Sequence, residues 1–486
     1  MIPPNFYSQT VPKMRYCFPA LPSPLNSKTK GPLLLHLRSF TIFSPPPYAT
    51  HLPQSAANPA ADAAFRLHSC SDPSLLAQIH ALVLRRNLLC LPFHWNSLMR
   101  CYLRLSMPAA AFLLFIHMFR AGATPDRYSL PIALKAAFTS FAFSIGRQLH
   151  SVAVKCGLSC HEFSESGLIS VYAKAGEFAP AQQLFDENPN RKLGSWNALI
   201  SSYTQAGLCI DAIHLFAALR RGGELLPDEM TMASIASACG SLGDIRLAEQ
   251  IHRHSMHTSS SGHLDVMLSN SLIDMYAKCG RTDLACNMFD EMPHRNVSSW
   301  TAIIMGLATH GNAWRAMELF RRMDVTPNHV TMVAVLCACA HGGMVEEGMA
   351  HFEEIVEGRV KGVEATPAHY GCVADMLGKL GWVHEAAEIV ERMPWPASAV
   401  VWGALLGACE KHGEVRIGEK AAAKLLELEP WNDGVYVVLS NIYAGAGLWL
   451  EVERVRRLMR NSSSGKIPGY SLPDVTVSMG GVNWLC

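Results

Sequence analysis

The chain has 486 residues, too many for one compact core. Apolar residues make up 49% of it, yet no apolar run approaches the length that a membrane-spanning helix needs. Its 41 basic and 40 acidic residues cancel to +1, which excludes a protein that holds nucleic acid by bulk phosphate attraction alone.

Residues 1–62 open the chain with a composition of their own. Met1 to Ala61 holds no Asp or Glu, and Asp62 is the first acid. Lys13, Arg15, Lys28, Lys30 and Arg38 are basic, and Ser and Pro are frequent, as in Phe43-Ser44-Pro45-Pro46-Pro47. An acid-free, basic, Ser-containing start is the pattern of an organelle transit peptide. The alternative is a disordered Pro-rich tail with no address. Leu33-Leu34-Leu35 is too short for a secretory core and is broken by His36 and Arg38. Arg15 and Arg38 favour the mitochondrion, with the plastid as alternative.

Residues 63–91 form a degenerate first repeat, around Leu75 to Leu89. From residue 92 the self-similarity is regular. Trp95, Trp196, Trp300 and Trp402 are spaced by 101, 104 and 102 residues. Their contexts match, as in Ser195-Trp196-Asn197-Ala198-Leu199-Ile200 and Ser299-Trp300-Thr301-Ala302-Ile303-Ile304. Trp300, Ile303, Ile304 and Leu307 share one helical face. Gly311 breaks that helix. Ala313, Ala316, Met317, Phe320 and Met323 make a second stripe, and Pro327 stops continuation. Around Trp196 the same order runs through Leu199, Ile200 and Tyr203, Gly207, then Ala212, Leu215, Phe216 and Leu219, to Pro227. Each unit is a helical hairpin with one apolar face per helix. A hairpin cannot bury both faces alone, so an all-α solenoid of helix-turn-helix repeats is expected, with the Trp and Leu stripes in its core.

The units vary in length in a fixed order. Residues 92–126, 127–161 and 162–192 make a long, long, short triplet. It recurs as 193–228, 229–265 and 266–296, and as 297–328, 329–366 and 367–398. This pattern resembles the P-L-S class of plant pentatricopeptide repeat proteins. The phrases Asn270-Ser271-Leu272-Ile273-Asp274-Met275-Tyr276-Ala277-Lys278-Cys279-Gly280 and Met288-Phe289-Asp290-Glu291-Met292-Pro293 carry the match. Residues 399–432, with Trp402-Gly403-Ala404-Leu405-Leu406-Gly407-Ala408-Cys409, and residues 433–466, with Tyr436-Val437-Val438-Leu439-Ser440-Asn441-Ile442-Tyr443-Ala444, are similar to the two E motifs of RNA-editing factors in the E subgroup. Residues 467–486 are a divergent tail. The resemblance implies a right-handed superhelix.

Some relatives end in a zinc-dependent cytidine deaminase, which needs His-x-Glu and Pro-Cys-x-x-Cys. His351-Phe352-Glu353 and His412-Gly413-Glu414 match the first half only, inside helical repeats. The 15 cysteines form no CxxC pair. No catalytic residue, metal site or cofactor is expected.

In the family one repeat faces one base, through its fifth residue and its last. Carried over, Asn96 with Asp126 and Asn197 with Asp228 resemble the combination for U. Asn270 with Asn296 resembles the pyrimidine combination, C favoured, and Thr301 with Asn328 that for A. Ser166 with Lys192 fits no pair. Pro131, Ala233 and Val333 have no side chain to hydrogen-bond a base. The implied footprint is 5′-U-N-N-U-N-C-A. The competing reading is structural: Asn near a helix start is a common cap, and Asp after Pro a common turn residue. The second residue of each repeat, which helps sandwich the base in the family, is Phe93, Gly194, Met267 and Ser298 in the reading units.

The expected function is a site-recognition factor for C-to-U editing of single-stranded organellar RNA. It would act as a monomer on RNA, away from membranes, and recruit a deaminase-bearing protein and accessory editing factors through residues 399–466. The rivals are an organellar splicing or stability factor and a helical scaffold that binds only proteins.

Overall fold

The computed structural model describes residues 70, 72–85, 92–139, 145–258 and 264–462. The expected transit peptide (1–62) and divergent tail (467–486) lie outside the described residues, as do parts of the degenerate first repeat and the end of the second E-like segment. The described residues form 23 α-helices and no β-strand. None of these helices is long and apolar enough to cross a membrane.

The chain divides into two compact units, residues 1–227 and 228–486. In the first, helices run from Pro73–Arg85 to Cys209–Gly222; in the second, from Glu229–Leu242 to Trp449–Ser462. Within each unit every repeat is an antiparallel hairpin, and the first helix of one repeat packs on the first helix of the next. Glu229–Leu242 packs on Val266–Lys278, then come Val297–Thr309, His329–Gly342, Pro367–Lys379 and Ala399–His412. Within each unit the first helices therefore make one layer, and second helices flank them.

Local chemistry sets the element ends. Gly207 and Gly311 sit between the two helices of their hairpins at φ 75° and 80°, a left-handed conformation that side chains with a Cβ resist. The first helices begin at Glu162, Leu193, Glu229, Val266, Val297, His329, Pro367 and Ala399. In the 127–161 unit the regular helix starts at Ser129, and its first backbone bonds are long, from the Leu130 N–H to the Asp126 carbonyl at 3.5 Å and from the Ile132 N–H to the Tyr128 carbonyl at 3.4 Å.

The apolar stripes lie inside. Ile303, Ile304, Leu199 and Ile200 are fully buried. Trp95 and Trp300 are buried too, but Trp196 and Trp402 are only half-buried. The helices approach closely through small residues. A Cβ added to Gly306 would lie 2.6 Å from the Ala277 Cβ, and one added to Gly378 would meet Ala408 at the same distance. A pair of rings joins each of two short units to the repeat that follows it. The Phe289 ring meets Trp300 edge-on at 4.9 Å, and the Arg295 guanidinium stacks on Phe289 at 4.7 Å. Arg295 also donates from Nε and Nη2 to the carbonyls of Phe289 and Asp290, at 2.9 and 2.8 Å, which satisfies the open end of that helix. Arg191, Phe185 and Trp196 repeat the arrangement.

Candidate functional site

The last residue of a repeat is the N-cap of the next. Asn296 caps Val297–Thr309: its Oδ1 accepts the Ser299 N–H at 3.0 Å and the Ser299 hydroxyl at 3.1 Å. The Asn296 N–H donates back to Ser299 Oγ at 3.2 Å, closing a capping box. Asn328 does the same with Thr331, and Asp228 with Thr231. Asp126 holds Ser129 through Oδ1 likewise. Each such cap is worth about 1 kcal/mol. These four last residues of the expected pairs are therefore structural caps.

The cap uses only part of each side chain. At Asn296 and Asn328 it consumes Oδ1, so the amide nitrogen is what these residues present beyond the box. At Asp126 and Asp228 it uses Oδ1, and the second oxygen of Asp126 accepts from Asn96 Nδ2 at 3.2 Å.

Three of the expected pairs have both members in the same unit, Asn96 with Asp126 in the first and the other two in the second, and the structure joins them in different ways. Asn96 Nδ2 donates to both carboxylate oxygens of Asp126, at 3.1 and 3.2 Å, and Asn96 is 4% exposed. Asn270 Nδ2 donates to Asn296 Oδ1 at a looser 3.4 Å. Thr301 does not bond Asn328 directly. Its hydroxyl lies 2.7 Å from Thr331 Oγ1, which in turn donates to Asn328 Oδ1 at 3.1 Å. Asn197 is half-buried on Leu193–Gln205, and Asp228 caps Glu229–Leu242; they belong to different units. Burial alone would raise the pKa of Asp126. The hydrogen bonds from Ser129, Tyr128 and Asn96 outweigh it and hold the carboxyl below its ordinary value.

Where the last residue is His161 or Lys192, no side-chain cap forms. The third-position hydroxyls that follow, Ser164 and Ser195, are fully buried. The fourth position of that repeat, a Trp in several others, is Glu165. It is fully buried, and its Oε2 accepts from Asn188 Nδ2 at 2.6 Å. Burial, against the pull of the Asn188 hydrogen bond, raises its pKa.

Two sets of residues escaped the sequence reading. The first is the third-position hydroxyls Ser129, Thr231, Ser299 and Thr331. A Ser or Thr three places after each cap was the available signal. The second is a series of exposed apolar residues at the second position. Phe93, Tyr128, Phe163, Met230, Met267, Val330 and Val400 are all exposed. Among the described residues no three His, Cys, Asp or Glu side chains converge as metal ligands. His351 instead lies 3.1 Å from Glu354.

Residues 93–122, 194–223, 268–297, 298–325, 330–360 and 368–395 match the family model for the PPR repeat, and residues 412–473 match that for the E motif. A pentatricopeptide repeat-containing protein of Arabidopsis thaliana, named as mitochondrial, is 46% identical over 416 residues, 84% of this chain and 88% of its own length. Another from Arabidopsis thaliana, named as chloroplastic/mitochondrial, is 35% identical over 483 residues, 87% of this chain and 75% of its own. Among solved structures, the pentatricopeptide repeat protein PPR10 in complex with an 18-nt psaJ RNA element aligns with a TM-score of 0.55 at 15% identity. The alignment covers 83% of this chain and 64% of that one, and at this identity the likeness is one of fold.

Proposed function

This chain belongs to the pentatricopeptide repeat family and carries an E motif, and from that premise we propose that it is a sequence-specific single-stranded RNA-binding protein that marks sites for C-to-U editing in an organelle. The observation that carries the reading is the recurring juxtaposition of a fifth residue and a capping last residue. The caps fix the last side chain in one orientation and leave defined hydrogen-bonding atoms on it. A carboxylate keeps an acceptor, which suits the N3–H of uracil. An amide whose oxygen is taken by the cap offers an N–H, which suits the N3 of cytosine. On this chemistry Asn96 with Asp126 and Asn197 with Asp228 select U, and Asn270 with Asn296 selects C. Thr301 with Asn328 selects A. The footprint is 5′-U-N-N-U-N-C-A, upstream of the edited C.

Readout of this kind suits a nearly neutral chain, because base-edge contacts carry the specificity and phosphate attraction adds less. The match to the E motif supports a second role for the C-terminal helices. Residues 399–466 recruit a separate deaminase-bearing protein and accessory factors, and the chain acts as a monomer on RNA. The names of its relatives support the mitochondrion as its compartment, with the plastid as alternative.

The test is transcript-wide sequencing of organelle RNA from plants that lack the protein. The expected result is one or a few unedited C positions, each preceded by a sequence close to the footprint. Intact editing with altered splicing or transcript levels would replace the editing role with RNA processing. No change in any transcript would leave a protein scaffold.

A further inference from the structure

We propose that Cys239 and Cys279 form an oxidative modification site. A low-molecular-weight disulfide, such as oxidised glutathione, converts the two thiols into an internal disulfide. That bond staples the first helix of the 229–265 repeat to the first helix of the 266–296 repeat. The site goes beyond the RNA-binding reading and does not depend on it.

The backbone brings the two thiols together. Cys239 lies near the end of Glu229–Leu242, and Cys279 is the C-cap of Val266–Lys278. The two helices pack directly on each other within one unit. Their approach is close at this end. A Cβ added to Gly240 would lie 3.0 Å from the Met275 Cα and 3.4 Å from the Lys278 Cβ. Met275 and Cys279 are four residues apart, so both stand on the face that backs onto Gly240. The bare glycine lets the neighbouring Cys239 reach Cys279, and the two thiols are hydrogen-bonded. The Cys239 sulfur also lies 3.3 Å from the Asp244 carbonyl oxygen, in the turn that follows its helix.

The other two triplets share this junction but not the paired thiols. Its two positions are the eleventh residue of the second long repeat and the fourteenth of the short one. They hold Ala137 with Ala175 in the first triplet and Cys339 with Leu380 in the third. Ala137 with Ala175 shows that small apolar side chains are enough for the packing. Two sulfurs at the middle junction therefore exceed what the fold needs.

The pair divides the chemistry. Cys239 is fully buried and Cys279 half-buried, so Cys279 meets the oxidant first. The hydrogen bond from Cys239 holds the Cys279 pKa below the ordinary thiol value, against burial and the Asp244 carboxylate. The Cys279 thiolate attacks one sulfur of oxidised glutathione, forms a mixed disulfide and expels a glutathione thiolate. Cys239 then loses its proton, attacks the Cys279 sulfur and expels the second glutathione thiolate. Each expelled thiolate takes up a proton that the protein released. Two protein thiols and one glutathione disulfide thus become one protein disulfide and two glutathione thiols. Other thiols lack one requirement or another. Cys70 and Cys101 are also hydrogen-bonded, but both are buried, and burial raises the pKa of Cys101. Burial pushes Cys339, Cys372 and Cys409 up to about 12, which keeps them protonated.

The experiment treats the full chain with oxidised glutathione, blocks the remaining thiols with N-ethylmaleimide and maps a digest by mass spectrometry. The expected result is a cross-linked peptide joining Cys239 to Cys279. It should form before any other internal disulfide and be reversed by dithiothreitol. Backbone amides of Val266–Lys278 should exchange with deuterium at least about tenfold more slowly in the oxidised chain. Both readouts are taken on the parent chain, so neither depends on a variant folding. Cys239→Ala should stop the reaction at a stable glutathione adduct on Cys279, and Cys279→Ser should leave Cys239 unmodified. The proposal is overturned by a glutathione adduct that persists on Cys279 in the parent chain, by a first disulfide between other cysteines, or by unchanged exchange in the cross-linked chain. RNA enters none of these measurements, so the RNA-binding reading stands or falls separately, on the transcript sequencing.

Discussion

The Asn270 side-chain amide lies 3.4 Å from Asn296 Oδ1, an oxygen that also accepts the Ser299 N–H and hydroxyl. One atom of Asn296 thus ties two neighbouring helices and caps one of them, and the other end of the amide faces outward as a donor. Asn296→Asp keeps the cap, since Asp and Asn are equivalent N-caps. It exchanges the outward donor for an acceptor. The expected result is a switch at the sixth nucleotide of the footprint from C to U, by roughly tenfold or more in relative affinity. The melting temperature should be nearly unchanged. Competition binding with the two RNAs checks it; an unchanged preference would show that Asn296 is only a cap.

Glu165 sits where other repeats bury a Trp, and burial raises its pKa above the ordinary value. The folded state therefore holds its proton to higher pH than the unfolded chain does. Stability is greatest below the unfolded value of about 4.3 and is lost as pH rises through the folded value. Glu165→Gln removes the charge while keeping an acceptor for Asn188. The variant should be more stable than the parent at pH 7, by on the order of 1 kcal/mol, and the difference should shrink toward pH 4. Thermal melts of both proteins across that range decide the matter.

His252 Nδ1 lies 2.8 Å from the Tyr276 hydroxyl, and the same bond recurs at His80 with Tyr102 and His150 with Tyr172. Burial lowers the pKa of His252 and pushes that of Tyr276 up to about 12. The folded state thus holds a neutral imidazole, while the unfolded one takes up a proton near its ordinary pKa of about 6.5. This contribution to stability is full above about pH 6.5 and is lost as pH falls through the folded value. His252→Asn should lower the melting temperature at pH 7.5, and the gap to the parent should narrow at pH 5.5. A gap independent of pH would mean that the imidazole does not titrate between these limits.

Gly306 faces Ala277 so closely that a Cβ would lie 2.6 Å from the Ala277 Cβ. Gly306→Ala gains helix propensity, up to about 1 kcal/mol, but overpacks the junction by about 1–3 kcal/mol. A net loss of stability is expected. Ala277→Gly in the same background should recover part of it, which a double-mutant cycle by chemical denaturation would measure. Additive effects would rule out the contact as the cause.

The residues themselves determined the all-α architecture, the hairpin period and the buried stripes, such as Ile303 with Ile304 and Leu199 with Ile200. These depend on spacings of three or four residues and on turn glycines such as Gly207 and Gly311, which act within a few residues of chain. Only the tertiary structure decided what the candidate readers touch. It placed Asn96 in the interior, routed Thr301 to Asn328 through Thr331, left Trp196 half-buried and turned Tyr128 and Phe163 outward. Those contacts join residues about thirty positions apart, as in Asn96 with Asp126 and Thr301 with Thr331. They depend on how closely one first helix settles against the next, which side-chain volume at junctions such as Gly306 with Ala277 sets, and which no pattern within a single repeat contains.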